Sequence, residues 1–246
     1  MAGHSKWAKV KRLKGALDAK RGKIFSKLAR EITVATKIGG GDPTMNPRLR
    51  MVLLKCKAAN MPGDNVERAI KKGLGGGEGA DFEDLIYEIF APHGVAVLVE
   101  VSTDNRNRTA SEIRSIVTRC GGSMATPGSV SRLFQRKGQI IVSREAIKEE
   151  ALMELALEAG AGDFKTDENG FELLTEPAAF ETVHKRMEAA GIRMEAAEVT
   201  SLAAITAPVA ADHVAAVTRL IESLEEHDDV KEVFSNAELD DAHPAA

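Results

Sequence analysis

Five cations, Lys20, Lys23, Lys27, Arg30 and Lys37, recur at intervals of three, four and seven residues. At about 100° per residue they fall within roughly a 100° sector of a helix, while the apolar Ile24, Leu28, Ile32 and Ala35 centre about 130° away. One stripe of such a helix packs and the other meets solvent or phosphate. Ahead of it runs an arm with Lys6, Lys9, Lys11, Arg12 and Lys14 around Trp7, the only tryptophan, and this arm is too polar to build a core. The chemistry open to these side chains is neutralisation of phosphates, which releases counterions and makes affinity steeply salt-dependent. A solvated basic face, or a partner for acidic residues elsewhere in the chain, is the competing reading.

A second cluster, Thr103-Asp104-Asn105-Arg106-Asn107-Arg108, falls between a predicted strand and a predicted helix. Free amides and the positive dipole end make such a junction an anion site, and Arg106 and Arg108 add bidentate donors. Asn and Asp also serve turns for local backbone reasons, so a purely structural loop fits as well. Arg48 and Arg50 stand in the first turn of another predicted helix, but mostly apolar residues follow them. That pattern suits a core helix better than one aimed at base edges, so backbone or shape recognition is expected.

The elements that must position these groups follow from periodicity. A helix is predicted over 16–38, ended by Gly39-Gly40-Gly41. Asn46 as N-cap and Pro47 at the first helical position announce the next, with Leu49, Val52, Leu53 and Cys56 on one face and Met61-Pro62 as its stop. Asp64 and Glu67 form a capping-box-like start for a third helix, with Gly73 placed to end it. Five glycines between Gly73 and Gly79 make a flexible boundary, beyond which the period becomes alternating. Strands are expected at 85–90, 94–101 and 130–135, with a helix at 109–119 capped by Thr109 and Glu112. A βαββαβ series follows: strands at 139–143, 163–166, 171–174 and 198–205, helices at 144–158 and 177–190. One more helix, 212–226, and one more strand, 230–234, have no place in that completed unit.

The expected fold class is therefore α+β and multidomain: a basic three-helix domain, residues 1–76, followed by two ferredoxin-like α/β domains. The second is discontinuous, 81–136 plus 207–240, and the third, 137–206, is inserted into it.

Charge divides along the same boundary. The first 80 residues sum to +12 while the chain totals −4, leaving −16 for the remainder. A chain that segregates charge this way has one end suited to a polyanion. Aromatics are only 4% of the chain, and the aromatic strand motif of sheet-type RNA binders is absent. No apolar run approaches the roughly 20 residues of a membrane span, and the N-terminus lacks a signal-peptide pattern, so a cytoplasmic location and no membrane partner are expected. Cys56 and Cys120 match no zinc spacing and suit a reducing compartment, Cys56 as core filler. The histidines at 4, 93, 184, 213, 227 and 243 show no metal-ligand spacing, and His93 beside Gly94 reads as a turn residue. Gly75-Gly76-Gly77-Glu78-Gly79 follows a helix rather than a strand and reads as a hinge, not a dinucleotide loop. Carboxylates such as Glu222, Glu225 and Glu226 read as solvated helix faces. No catalytic residue, metal ligand, cofactor or small-molecule substrate is assigned.

The strings MAGHSKWA, DAKRGKIFSKLAREI, GGGDP with NPRLR, KAANMP, DNVERAIKKG, GVAVLVE, TDNRNRT and KGQI occur in this order. Together they resemble the YebC/PmpR family, whose mitochondrial relative is a translational activator of cytochrome oxidase. The resemblance spans about the whole chain and is densest before residue 145. It implies a helical N-terminal domain followed by two α/β domains, and a non-enzymatic regulator. Bacterial members are generally described as DNA-binding transcriptional regulators, while other members act at the ribosome and help it through sequences such as proline runs. The partners implied are duplex DNA or ribosomal RNA and the ribosome. Within the matching strings stand Lys6, Lys20, Arg21, Lys23, Lys27, Arg30, Arg48, Arg50, Arg106 and Arg108. Lys11-Arg12-Leu13-Lys14 and Phe90-Ala91-Pro92-His93 depart from the family pattern. The absence of an obvious recognition helix favours the ribosome on physical grounds.

Overall fold

A computed structural model describes residues 3–75 and 82–239, with the side chains of residues 21–75 and 82–238. Three helices come first: α1 (Gly3–Gly39), α2 (Pro47–Ala58) and α3 (Gly63–Leu74). α1 is longer than the predicted 16–38, because isolated glycines inside a helix cost only about 1 kcal/mol each. Gly40, at φ +82°, follows the end of α1. Asn46 does more than cap. Its Oδ1 accepts from the Leu49 amide at 3.0 Å, while its Nδ2 donates to the carbonyls of Ala35 (2.9 Å) and Gly40 (2.8 Å), fixing the corner between α1 and α2. Ile32, Ala35, Leu49, Val52, Cys56 and Ala69 form the core, so Cys56 is buried as expected.

α3 departs from its predicted bounds. It begins after Pro62 with no side-chain cap and runs through Gly73. A Cβ on Gly73 would lie 2.7 Å from the Thr33 carbonyl oxygen and from Thr36, so this glycine permits close approach of α1 rather than ending a helix.

The remainder contains β1 (Glu83–Phe90), β2 (Ala96–Thr103), α4 (Arg106–Arg119), β3 (Ser123–Met124), β4 (Phe134–Ser143), α5 (Glu149–Ala159), β5 (Asp163–Thr166), β6 (Gly170–Thr175), α6 (Phe180–Ala189), β7 (Met194–Ala203), β8 (Ala207–Val209), α7 (Ala211–Glu225), β9 (Val230–Ser235) and β10 (Ala237–Leu239). One antiparallel sheet has the order β3-β1-β2-β9. Val97, Val99 and Val101 of β2 pack with Ile113 and Val117 of α4 and with Leu220 and Leu224 of α7. A second antiparallel sheet has the order β5-β6-β4-β7, with Ile140, Val142 and Leu173 packed against Leu152 of α5 and Phe180 and Val183 of α6. β8 and β10 form a short parallel pair that was not foreseen. Asn236 ties the segments: its Oδ1 accepts from the Ala96 amide at 2.8 Å, and its carbonyl accepts from the Ala207 amide at 2.7 Å.

The strands expected at 130–135 and 139–143 are a single strand, β4, preceded by a 3-10 turn over Ser131–Leu133. Gly138 sits within it because a Cβ there would come 2.7 Å from Phe180. α4 starts at Arg106, three residues before the predicted cap. Asn105 caps it, accepting from the Arg108 amide at 3.0 Å, and Thr109 is buried inside. His93 holds the turn conformation expected, at φ 65°. Among the described residues no helix is long and apolar enough to cross a membrane.

Candidate nucleic-acid interface

The C-terminal end of α7 leaves carbonyls without intrahelical donors and carries the negative end of the helix dipole. The basic stripe of α1 meets that end. Lys27 Nζ donates to the Glu225 carbonyl at 2.7 Å, Lys23 Nζ donates to the Glu226 carbonyl, and Lys23 also lies 3.5 Å from the Asp228 carboxylate. Arg30 donates to the carbonyls of Ser102 and Asp228, each at 3.1 Å, and to Asp229 Oδ1 at 2.8 Å, with its guanidinium 5.0 Å from the Phe82 ring centre. Burial among these groups, together with neighbouring Lys23, lowers the Lys27 pKa to about 8.

Asp229 is the node of the arrangement, only 4% exposed. Its second oxygen accepts from Arg108 at 2.7 Å, from the Thr109 hydroxyl at 2.7 Å and from the Thr103 hydroxyl at 3.2 Å. Burial alone would raise its pKa. The hydrogen bonds from Thr109, Arg108 and Arg30 outweigh that and hold it at about 2. The anion site predicted at the β2–α4 junction therefore already faces a carboxylate of the chain itself. Arg108 also bonds Asp104 at 2.9 Å, whereas Arg106 is exposed and lies 3.7 Å from Glu83.

His227 completes this corner. Its Nδ1 accepts from the Asp229 amide at 3.1 Å, so its Nε2 carries the proton it shares with Glu112 at 2.8 Å. Glu112, His227 and Asp229 bring ligand-type atoms within 4.8 Å of one another, a grouping no sequence spacing suggested, but these atoms are engaged in the hydrogen bonds just described. A cleft of about 660 Å³ opens here, with Lys23, Arg30, Arg108, Arg119, His227 and Asp228 among its walls.

Other predicted cations dock the helical domain as well. Arg48 pairs with Asp84 of β1 at 2.6 Å, and Arg50 with Glu181 of α6 at 3.0 Å. Two lysines outside the predicted set do the same: Lys55 with Glu232 of β9 at 3.3 Å, and Lys57 with Glu188 of α6 at 2.9 Å. Burial lowers the pKa of Lys55, but Glu232 and Glu31 more than reverse the effect and raise it. Arg21 and Lys37 are exposed, as are Lys71 and Lys72 of α3, which the sequence reading did not single out. The side chains of Lys6, Lys9, Lys11, Arg12, Lys14 and Lys20 lie outside the described residues, as does the glycine hinge at 76–79. The acid-rich run Glu225-Glu226-His227-Asp228-Asp229 was the available signal for the docking partner, and its helix-end position disguised it as solvated charge.

Fold and interface define a multidomain α+β protein in which a cationic helical unit is held against acid-bearing sheet units. Residues 5–76 match the TACO1/YebC protein N-terminal domain, and residues 82–237 match the TACO1/YebC second and third domain. The chain belongs to the TACO1/YebC family. It is 52% identical over 240 residues to a probable transcriptional regulatory protein of Leptospira biflexa, covering 97% of each chain. A probable transcriptional regulatory protein of Geobacter sulfurreducens is 50% identical over 239 residues, covering 97% of this chain and 96% of that one. Among solved structures, a conserved hypothetical protein from Aquifex aeolicus, Aq1575, matches with a TM-score of 0.81 at 46% identity, covering 92% of this chain and 93% of that one.

Proposed function

We propose that this protein is a non-enzymatic, nucleic-acid-binding regulator of gene expression that works in the cytoplasm through its basic N-terminal domain, as a ribosome-associated translation factor relieving stalls such as those at proline runs. The observation that carries this reading is the charge division, +12 in the first 80 residues against −16 in the rest. Docking engages Lys23, Lys27, Arg30, Arg48 and Arg50, and nucleic-acid contact is assigned to the arm cations Lys6, Lys9, Lys11, Arg12, Lys14 and Lys20 and to Arg21, Lys37 and Arg106, whose side chains reach solvent. The pairing of β9 beside β2 supports a discontinuous second domain, 81–136 plus 207–240, with 137–206 inserted as a ferredoxin-like unit.

Recognition of backbone and shape, rather than of base edges, favours the ribosome. α2 buries Leu49, Val52 and Cys56 and commits Arg48 and Arg50 to carboxylates, so it presents no base-reading face. The names of the relatives favour the second reading, a transcriptional regulator on duplex DNA. Sedimentation of the native protein from its own cell lysate through a sucrose gradient separates the two. Co-migration with ribosomal particles that survives DNase is expected; migration abolished by DNase, or none with ribosomes, moves the function to duplex DNA.

A further inference from the structure

The geometry points to a second nucleic-acid contact on the outer face of α4, an open surface that takes the sugar–phosphate backbone of structured RNA, and this assignment rests on the nucleic-acid reading above. Ser111, Arg114, Ser115, Thr118 and Arg119 form that surface. Their spacing places them on one face of the helix, all exposed, while Thr109, Ile113 and Val117 are buried on the opposite face.

Three observations carry the assignment. First, Arg114 and Arg119 form no ion pair among the described residues, whereas Arg30 and Arg108 are tied to the buried Asp229. A ligand that drew Arg30 or Arg108 away from Asp229 would leave that buried carboxylate short of a partner, which is strongly unfavourable, but Arg114 and Arg119 have no such pair to give up. Second, the only acid on α4, Glu112, is engaged by His227 at 2.8 Å and lies 4.0 Å from Arg108, so the outer face is cationic within a portion of the chain that is −16 overall. Third, Ser115 and Arg119 lie where this face meets the neighbouring cleft, whose walls also carry Asp104, Glu112, Glu226, Asp228 and Asp229, so the carboxylates gather on the cleft side and the cations Arg114 and Arg119 on the outer side of α4.

The lining chemistry selects the ligand. Guanidinium groups bind phosphate oxygens bidentately, and serine and threonine hydroxyls bond phosphate oxygens and 2′-hydroxyls. This surface offers none of the large apolar or aromatic anchors that centre a protein–protein interface.

The test is fluorescence anisotropy of the full chain with a labelled RNA hairpin of about 16 base pairs, the span a shape-reading domain covers, and with a DNA duplex of the same sequence. Salt is varied from about 50 to 200 mM, the range in which phosphate contacts weaken strongly. Arg114→Glu with Arg119→Glu should weaken RNA binding by about 10-fold or more and flatten the log–log salt slope by about 2, one unit per lost phosphate contact. Arg114→Lys with Arg119→Lys should keep the wild-type slope. Unchanged affinity and slope in the Glu variant, with wild type binding normally, overturns the α4 surface and leaves the proposed function standing. An equal loss on the DNA duplex overturns the commitment to RNA. A wild-type chain that binds neither probe overturns the nucleic-acid reading and this contact with it.

Discussion

Two sets of cations in this protein have the same chemistry and different employment. Lys23, Lys27 and Arg30 of α1 face the turn between α7 and β9, Lys27 and Arg30 partly shielded from water and Lys23 exposed, all fixed on carbonyls and Arg30 also on the Asp229 carboxylate. Arg114 and Arg119 of α4 stand exposed with no ion pair among the described residues. The difference teaches that a basic stripe is not by itself a ligand surface. What separates docking cations from those open to a ligand is whether a carboxylate or an unsatisfied helix end already faces them, because a pair to a buried carboxylate is costly to break and an exposed charge has none to give up.

The comparison can be broken most forcefully at its node. Asp229→Ala leaves Arg30 and Arg108 without their shared carboxylate and should destabilise the protein by roughly 3 kcal/mol, measured by denaturant unfolding. It should also loosen α1 from the sheet, seen as faster amide exchange along α1. A loss near zero would mean that the cations hold the domains without this carboxylate. Charge reversal of Lys23, Lys27 and Arg30 should likewise undo docking rather than act on nucleic acid alone, which small-angle scattering would register as expansion. Acid reaches the same node gradually. The folded Asp229 pKa, about 2, lies below the ordinary carboxylate value, so its stabilisation is present above about pH 4 and is lost as pH falls towards 2. Asp229→Asn should remove that part of the acid-unfolding profile.

A smaller effect is expected at the corner of the helical domain. Asn46→Ala removes three hydrogen bonds, one of them a helix cap, and should cost about 2 kcal/mol. At the far end of the scale, the 75%-exposed Lys57 side chain pairs with Glu188 in solvent, so Lys57→Ala should change stability by no more than about 0.5 kcal/mol. A large effect there would show that a solvent-exposed pair carries as much of the docking as the Asp229 node does.

Much of the architecture was legible because its signals are local. Asn46-Pro47 marked the start of α2, and the change from helical to alternating period marked where sheets begin. The misses have physical causes too. Gly73 and Gly138 resemble breaks in one dimension, yet each is small because another segment, α1 or Phe180, packs against it. The three-residue β8 and β10 are too short to leave a period. The cationic stripe was visible, but its partner was not, since Lys27 finds the Glu225 carbonyl 198 residues away and no local pattern encodes that distance. His227 and Asp229 escaped for the same reason: their roles depend on Glu112, Arg108 and Arg30 arriving from other elements.

The most direct test of the central claim is the salt dependence of affinity of the purified full chain for bacterial ribosomes and for mixed-sequence duplex DNA, measured side by side. The account predicts tighter binding to ribosomes and a steep fall in affinity between about 50 and 200 mM salt. Affinity that ignores salt, or that favours the duplex, would contradict it.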